Sequence, residues 1–132
     1  MRGNEIAIVS QGIRDFQDLE VWQRGRQLVL MTYGLTDSFP ASELYGLTSQ
    51  MRRAAVSVPA NVAEGFGRYH YMDRVKFFLN ARGSLHELKS HLLLARALRF
   101  ADEEPVQAMR VHLEALSVKL NNLIATTRKA RS

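Results

Sequence analysis

Apolar residues recur along this chain at alternating steps of three and four, in four blocks separated by short polar or proline-containing breaks. That period belongs to the α-helix, because residues three and four apart share one face. The first block carries Val21, Leu28, Leu35 and Phe39, with Gly25 and Thr32 completing the seam and Trp22, Val29 and Tyr33 widening it. Leu44, Leu47, Met51, Ala54, Val58 and Asn61 mark the second, and Phe78, Ala81, Leu85, Leu88, Leu92 and Ala95 the third. The fourth is the most regular, running Val106, Met109, Leu113, Leu116, Leu120, Leu123 and Thr127. No block alternates with period two, so no sheet is expected.

The breaks set the boundaries. Asp18 reads as an N-cap with Glu20 in the first turn, and Pro40 ends the first helix because the residue before a proline is driven out of the helical region. Ser42 reads as the cap of the second helix, Pro59 predicts a kink near residues 55–59, and Gly65 and Gly67 stop it. Asp102 precedes Glu103 and Glu104 at the start of the fourth. The expectation is an all-α, up-down-up-down antiparallel four-helix bundle with helices over 19–38, 43–65, 71–99 and 103–127, about 30–40 Å long. Residues 1–15 read as a flexible arm, 16–127 as the bundle, and 128–132 as a basic tail that frays. Leu79, Leu93, Leu94 and Leu98 lie off the main seam of the third helix. A helix apolar on more than one side must bury more than one side, which predicts an oligomer contact. Gly25 and Gly83 read as sites of close backbone approach.

Beside the apolar seams run two polar stripes. Arg53, Ser57, Asn61 and Glu64 step along the second helix, and Lys76, Asn80, Ser84, Glu87 and His91 along the third. Two antiparallel helices turning near residue 70 place side by side residues whose numbers add to about 140. That register sets Arg53 against Glu87, Ser57 against Ser84, Asn61 against Asn80 and Glu64 against Lys76. One reading is an inter-helix network that fixes register, since a partly buried polar group without a partner costs about 1–3 kcal/mol. The other is a ligand or ion site between the helices. The network reading follows more directly, because every member has a candidate partner. It predicts that Glu87→Ala destabilises the fold by orphaning Arg53.

At 132 residues the chain is the size of one domain. It has no cysteine, which excludes a disulfide framework and thiolate metal sites and fits a cytoplasmic location. No apolar run reaches the ~18 residues needed to span a bilayer, and the patch from Ile6 to Val9 is too short for a signal-peptide core. The net charge of +5 is uneven: residues 67–99 hold seven Lys/Arg against two Asp/Glu. Arg68, Arg74, Lys76, Arg82, Lys89, Arg96 and Arg99 are therefore the candidate contacts for nucleic acid, with Tyr69 and Tyr71 placed to stack on bases. The plainer reading is a solvated helix face whose arginine stems cover apolar surface.

Catalysis finds little support. There is no HExxH and no paired Glu-x-x-His, as a di-iron bundle requires. Glu87 and His91 are one turn apart, but two ligands do not make a metal site. His70, His86 and His112 read as surface residues, Ser84 sits within a helix rather than on a strand-to-helix elbow, and Gly65-Phe66-Gly67 lacks the context of a dinucleotide loop. No enzyme, cofactor or metal is expected.

The segments FQDLEVWQ at 16–23, SFPASELYGLTSQMRRAAVSVPANVAEGFGR at 38–68 and FFLNARGSLHEL at 77–88 closely resemble the four-helix-bundle family encoded in intervening sequences of bacterial 23S ribosomal RNA genes. The resemblance spans about Phe16 to Thr127. That family in turn looks related to the accessory variability proteins of diversity-generating retroelements, which form a homopentameric barrel engaging a reverse transcriptase and nucleic acid. The resemblance implies a bundle assembling into a ring, as a pentamer, with the matched residues Leu47, Gln50, Arg53, Ala54, Ser57, Pro59, Asn61, Ala63, Glu64, Gly65, Arg68, Gly83, Ser84 and Glu87 mainly architectural. Tyr69-His70-Tyr71 and Phe100 depart from the family pattern at the two ends of the third helix. Two functions stay open: a non-enzymatic oligomer binding RNA or DNA through basic surfaces, and a scaffold docking a protein such as a reverse transcriptase-like enzyme.

Overall fold

The computed structural model describes residues 12–130, and four helices carry the fold: α1 (Glu20–Thr36), α2 (Leu47–Phe66), α3 (Tyr71–Ala97) and α4 (Glu103–Ala130). Among the described residues there is no strand, and the all-α four-helix bundle is the observed architecture. Residues 1–11 of the expected arm and 131–132 of the expected tail lie outside the described residues. Each helix packs against its sequence neighbours, and α4 returns to α1, so the four close into an antiparallel square.

The centre is filled largely by the seams read from the spacing, except that Leu44 is half-exposed ahead of α2 and Ile124 rather than Leu123 is buried near the end of α4. Leu28, Met51, Val58, Leu85, Leu88, Leu92, Leu116 and Leu120 are fully buried. Each contributes about 1.5–3 kcal/mol relative to an exposed position. Threonine enters this core without stranding its hydroxyl. Thr32 donates to the carbonyl of Leu28, Thr36 to that of Thr32 and Thr127 to that of Leu123, each at 2.8 Å. Two glycines are set by close packing. A β-carbon on Gly25 would lie 3.3 Å from Cβ of Pro59, and one on Gly65 would lie 2.7 Å from the Phe78 ring. Gly83 is different: nothing within the chain comes within 4 Å of the place its β-carbon would occupy.

The helix ends differ from the expected ones for local reasons. Asp15, not Asp18, is the cap at the start. It accepts from the Phe16 amide at 2.8 Å, and Asp18 reaches back to the Asp15 amide, closing a capping box on a short 3₁₀ turn, Phe16–Asp18. A second 3₁₀ turn, Ala41–Glu43, precedes α2, which begins only at Leu47. There the carboxylate of Glu43, rather than Ser42, accepts from the Leu47 amide at 3.1 Å. Arg99 takes φ 65°, Phe100 N–H bonds to the Ala95 carbonyl and Arg99 N–H to that of Arg96. That is a Schellman motif with arginine at the position glycine usually fills. It ends α3 at Ala97 and turns Phe100 onto Phe39, with ring centroids 5.7 Å apart. At the other extreme, α4 runs to Ala130, so Arg128 and Lys129 form a regular last turn where the helix dipole favours cations.

Candidate nucleic-acid interface

The α2–α3 seam brings together half of the anticipated pairs. Ser57 Oγ and Ser84 Oγ meet at 2.8 Å, and Asn61 Nδ2 donates to Ser57 Oγ at 2.9 Å and to its carbonyl at 2.8 Å. Ser57 Oγ accepts from Asn61 and shares a hydroxyl–hydroxyl bond with Ser84 in which either oxygen can donate. Arg53 and Glu87 approach to 3.8 Å, but with side chains 66% and 43% exposed they form a surface pair. Glu87 is also held by His91 Nε2 at 3.2 Å, and Arg53 donates to Gln50. The other two pairs are not made. Glu64 turns along its own helix to Arg68, and Asn80 and Lys76 stay exposed on α3. The physical reason is reach: an i,i+4 Glu–Arg pair needs no inter-helix span, so Glu64 finds Arg68 first.

The seven candidate cations do not form one surface. Three of them face α4. Arg82 donates to Asn121 Oδ1 at 3.2 Å, Lys89 lies 3.5 Å from Glu114, and Arg96 lies 2.7 Å from Glu103. Here the plainer reading of the basic segment applies, with the acids supplied by the neighbouring helix of the same chain. Arg99 stands apart at the far end of α3. Arg68, Arg74 and Lys76 gather where α2 turns into α3. Arg74 donates to the Arg68 carbonyl and lies over the Tyr71 ring, and Arg68 lies over Phe77 at 4.7 Å. Tyr69 is exposed beside them, whereas Tyr71 is buried and its ring is unavailable for stacking on a base.

A residue assigned to the fraying tail joins this end. Arg128 and Lys76 line the same cleft of about 480 Å³, with Met72, Val75, Leu79 and Asn80. Neither cation makes an ion pair among the described residues. The sequence held a signal for Arg128: Glu114, Asn121 and Arg128 are spaced by sevens and so share one face of α4.

Two further side chains take roles that periodicity does not show. Arg52 clamps α1 to α2, donating to Thr36 Oγ1 at 2.9 Å while its guanidinium lies 4.5 Å over Tyr33. His112, read as a surface residue, is half-buried: its Nε2 donates to the Arg24 carbonyl of α1 at 3.0 Å. Among the described residues no group of three or more His, Cys, Asp or Glu is placed to hold a metal. No helix among them is long and apolar enough to cross a membrane.

The family model described as 23S rRNA-intervening sequence protein matches residues 17–122, from the first 3₁₀ turn to the last third of α4. No curated protein matches the chain.

Proposed function

The chain belongs to the 23S rRNA-intervening sequence protein family, and we propose that it works without catalysis, as a homo-oligomeric bundle that binds RNA or DNA through phosphate contacts at one end. The observation that carries this reading is the split among its cations. Those facing α4 are tied to Asn121, Glu114 and Glu103. Lys76 and Arg128 instead share a cleft at the other end, beside Arg68, which pairs with Glu64, and Arg74, which donates to the Arg68 carbonyl. Contacts of that kind fix a strand by its backbone and carry little sequence preference. Self-assembly is supported by the outer side of α3, where Leu93, Leu94 and Leu98 are 41%, 50% and 56% exposed. A ring of five copies, as the family resemblance implies, would present five such ends together.

Binding is tested by electrophoretic shift of structured RNA and of duplex DNA at low salt, with light scattering on the same samples for oligomer mass. A shift that weakens steeply with salt is expected. No shift at micromolar protein would sink the reading.

One observation favours a scaffold instead. At the opposite end Tyr45 is 94% exposed, next to half-exposed Leu44, Tyr33 and Val56 and the two arginines Arg52 and Arg53. Tyrosine and arginine dominate protein-docking hot spots. Specific retention of one protein, such as a reverse transcriptase-like enzyme, after nuclease treatment would favour this second reading.

A further inference from the structure

The contacts between α3 and α4 form a ladder with a regular register. Arg82 with Asn121 and Lys89 with Glu114 are pairs whose residue numbers both add to 203, and Arg96 with Glu103, one turn out of that register, closes the far end. On each rung a cation of α3 meets an acceptor on α4. One heptad further along α4 stands Arg128, level with Val75 in that register, and Lys76, the next residue of α3, lines the same cleft. The chemistry inverts there. The position that supplies glutamate at 114 and asparagine at 121 supplies arginine at 128.

Two like charges lining one cleft repel, and neither makes an ion pair among the described residues. A break in an otherwise consistent pattern marks a place where something other than stability is served. The cleft also holds the side-chain amide of Asn80 and an apolar floor from Val75 and Leu79. Resting on the nucleic-acid reading above, we infer that this inverted rung is the phosphate seat for a nucleic-acid strand. A phosphodiester lies between Lys76 and Arg128 and supplies the missing negative charge. The sugar or base rests on the apolar floor, with Asn80 at its polar edge.

The test is Lys76→Glu. It supplies an acid in the cleft that holds Arg128, so that the two lining charges attract rather than repel. Its melting temperature is expected to rise by about 1–2 °C. Its affinity for a labelled single-stranded RNA, read by fluorescence anisotropy at low salt, is expected to fall at least about tenfold. The slope of log affinity against log salt is expected to shrink by about 0.7 for each phosphate that the variant no longer neutralises. Arg26→Glu changes the net charge equally on exposed α1 and is expected to shift affinity less than about twofold.

Better folding with weaker binding separates a missing site from a damaged protein. Equal weakening by both variants, or unchanged binding by Lys76→Glu, overturns the phosphate seat and leaves the nucleic-acid reading standing. Absence of binding by the unaltered protein removes that reading itself. A third arm adds inorganic phosphate against chloride at matched ionic strength. Stabilisation that Lys76→Glu abolishes, with RNA affinity unchanged, would assign the cleft to a free small anion and overturn the strand.

Discussion

Gly65 of α2 lies under the ring of Phe78 of α3, and a β-carbon there would fall 2.7 Å from one ring atom and 3.1 Å from the Arg74 carbonyl oxygen. Phe78 is buried and the carbonyl belongs to the α3 backbone, so neither yields cheaply. Gly65→Ala gains helix propensity of up to about 1 kcal/mol but overpacks this close contact between α2 and α3. The net expectation is a loss of about 1–3 kcal/mol in urea unfolding. An unchanged midpoint would show that α2 and α3 can separate there without cost.

Gly83 sets the opposite expectation. It is exposed in the middle of α3 with nothing within 4 Å of a built β-carbon. For the single chain Gly83→Ala should raise stability by about 1 kcal/mol. Light scattering alongside thermal unfolding supplies the check. A lower oligomer mass with a lower melting temperature would mean that another copy's backbone covers this position.

The α2–α3 seam separates a hydrogen bond from an ion pair. Ser57 and Ser84 meet at 2.8 Å in a partly buried site, so their coupling in a double-mutant cycle should be about 1 kcal/mol. Arg53 and Glu87 stand 3.8 Å apart in solvent, where coupling is at most about 0.5 kcal/mol. Glu87→Ala is therefore expected to cost far less than its place in the register suggests. A larger coupling for the charged pair than for the serines would reverse this assignment.

Arg99 occupies a left-handed conformation at φ 65°, which costs a residue with a β-carbon roughly 1 kcal/mol. Arg99→Gly should raise the melting temperature, because glycine takes that conformation without strain. It should leave RNA binding nearly unchanged, since Arg99 lies at the end of α3 away from the Lys76–Arg128 cleft. Anisotropy with the same labelled RNA checks the second half.

Glu20 joins α1 to α4, with Arg24 at 2.7 Å and Lys119 at 3.4 Å. The hydrogen bond from Arg24 holds its carboxyl below the ordinary 4.5, outweighing the opposing desolvation, and Lys119 adds to the lowering. A depressed acid contributes stability above its unfolded value and loses it as pH falls through the folded one. The gap in melting temperature between the native chain and Glu20→Gln should thus be open at neutral pH and close below about 4.5. A gap that widened in acid would contradict the assignment.

The apolar spacing was enough to place four helices and their antiparallel order, because a 3,4 step has one economical solution in water: a shared core. It also placed Ser57 beside Ser84, since a register between adjacent antiparallel helices follows from counting residues. The helix ends were less legible. Asp15, Glu43 and Arg99 act through backbone geometry, and several polar residues near each boundary have the chemistry to cap. The charges were least legible of all. Nothing in the run from Arg68 to Arg99 distinguishes Lys89, which meets Glu114, from Lys76, which shares a cleft with Arg128.

What the amino-acid order determined alone, then, is which faces seek burial and which neighbours in the chain can meet, because both depend on periodicity and on short connections. What only the folded bundle decided is the fate of each charge. An arginine or lysine is read by the group across from it, and that group comes from a helix tens of residues away. Glu114, Asn121 and Glu103 turn three cations into struts, and Arg128 leaves Lys76 sharing a cleft with its own kind.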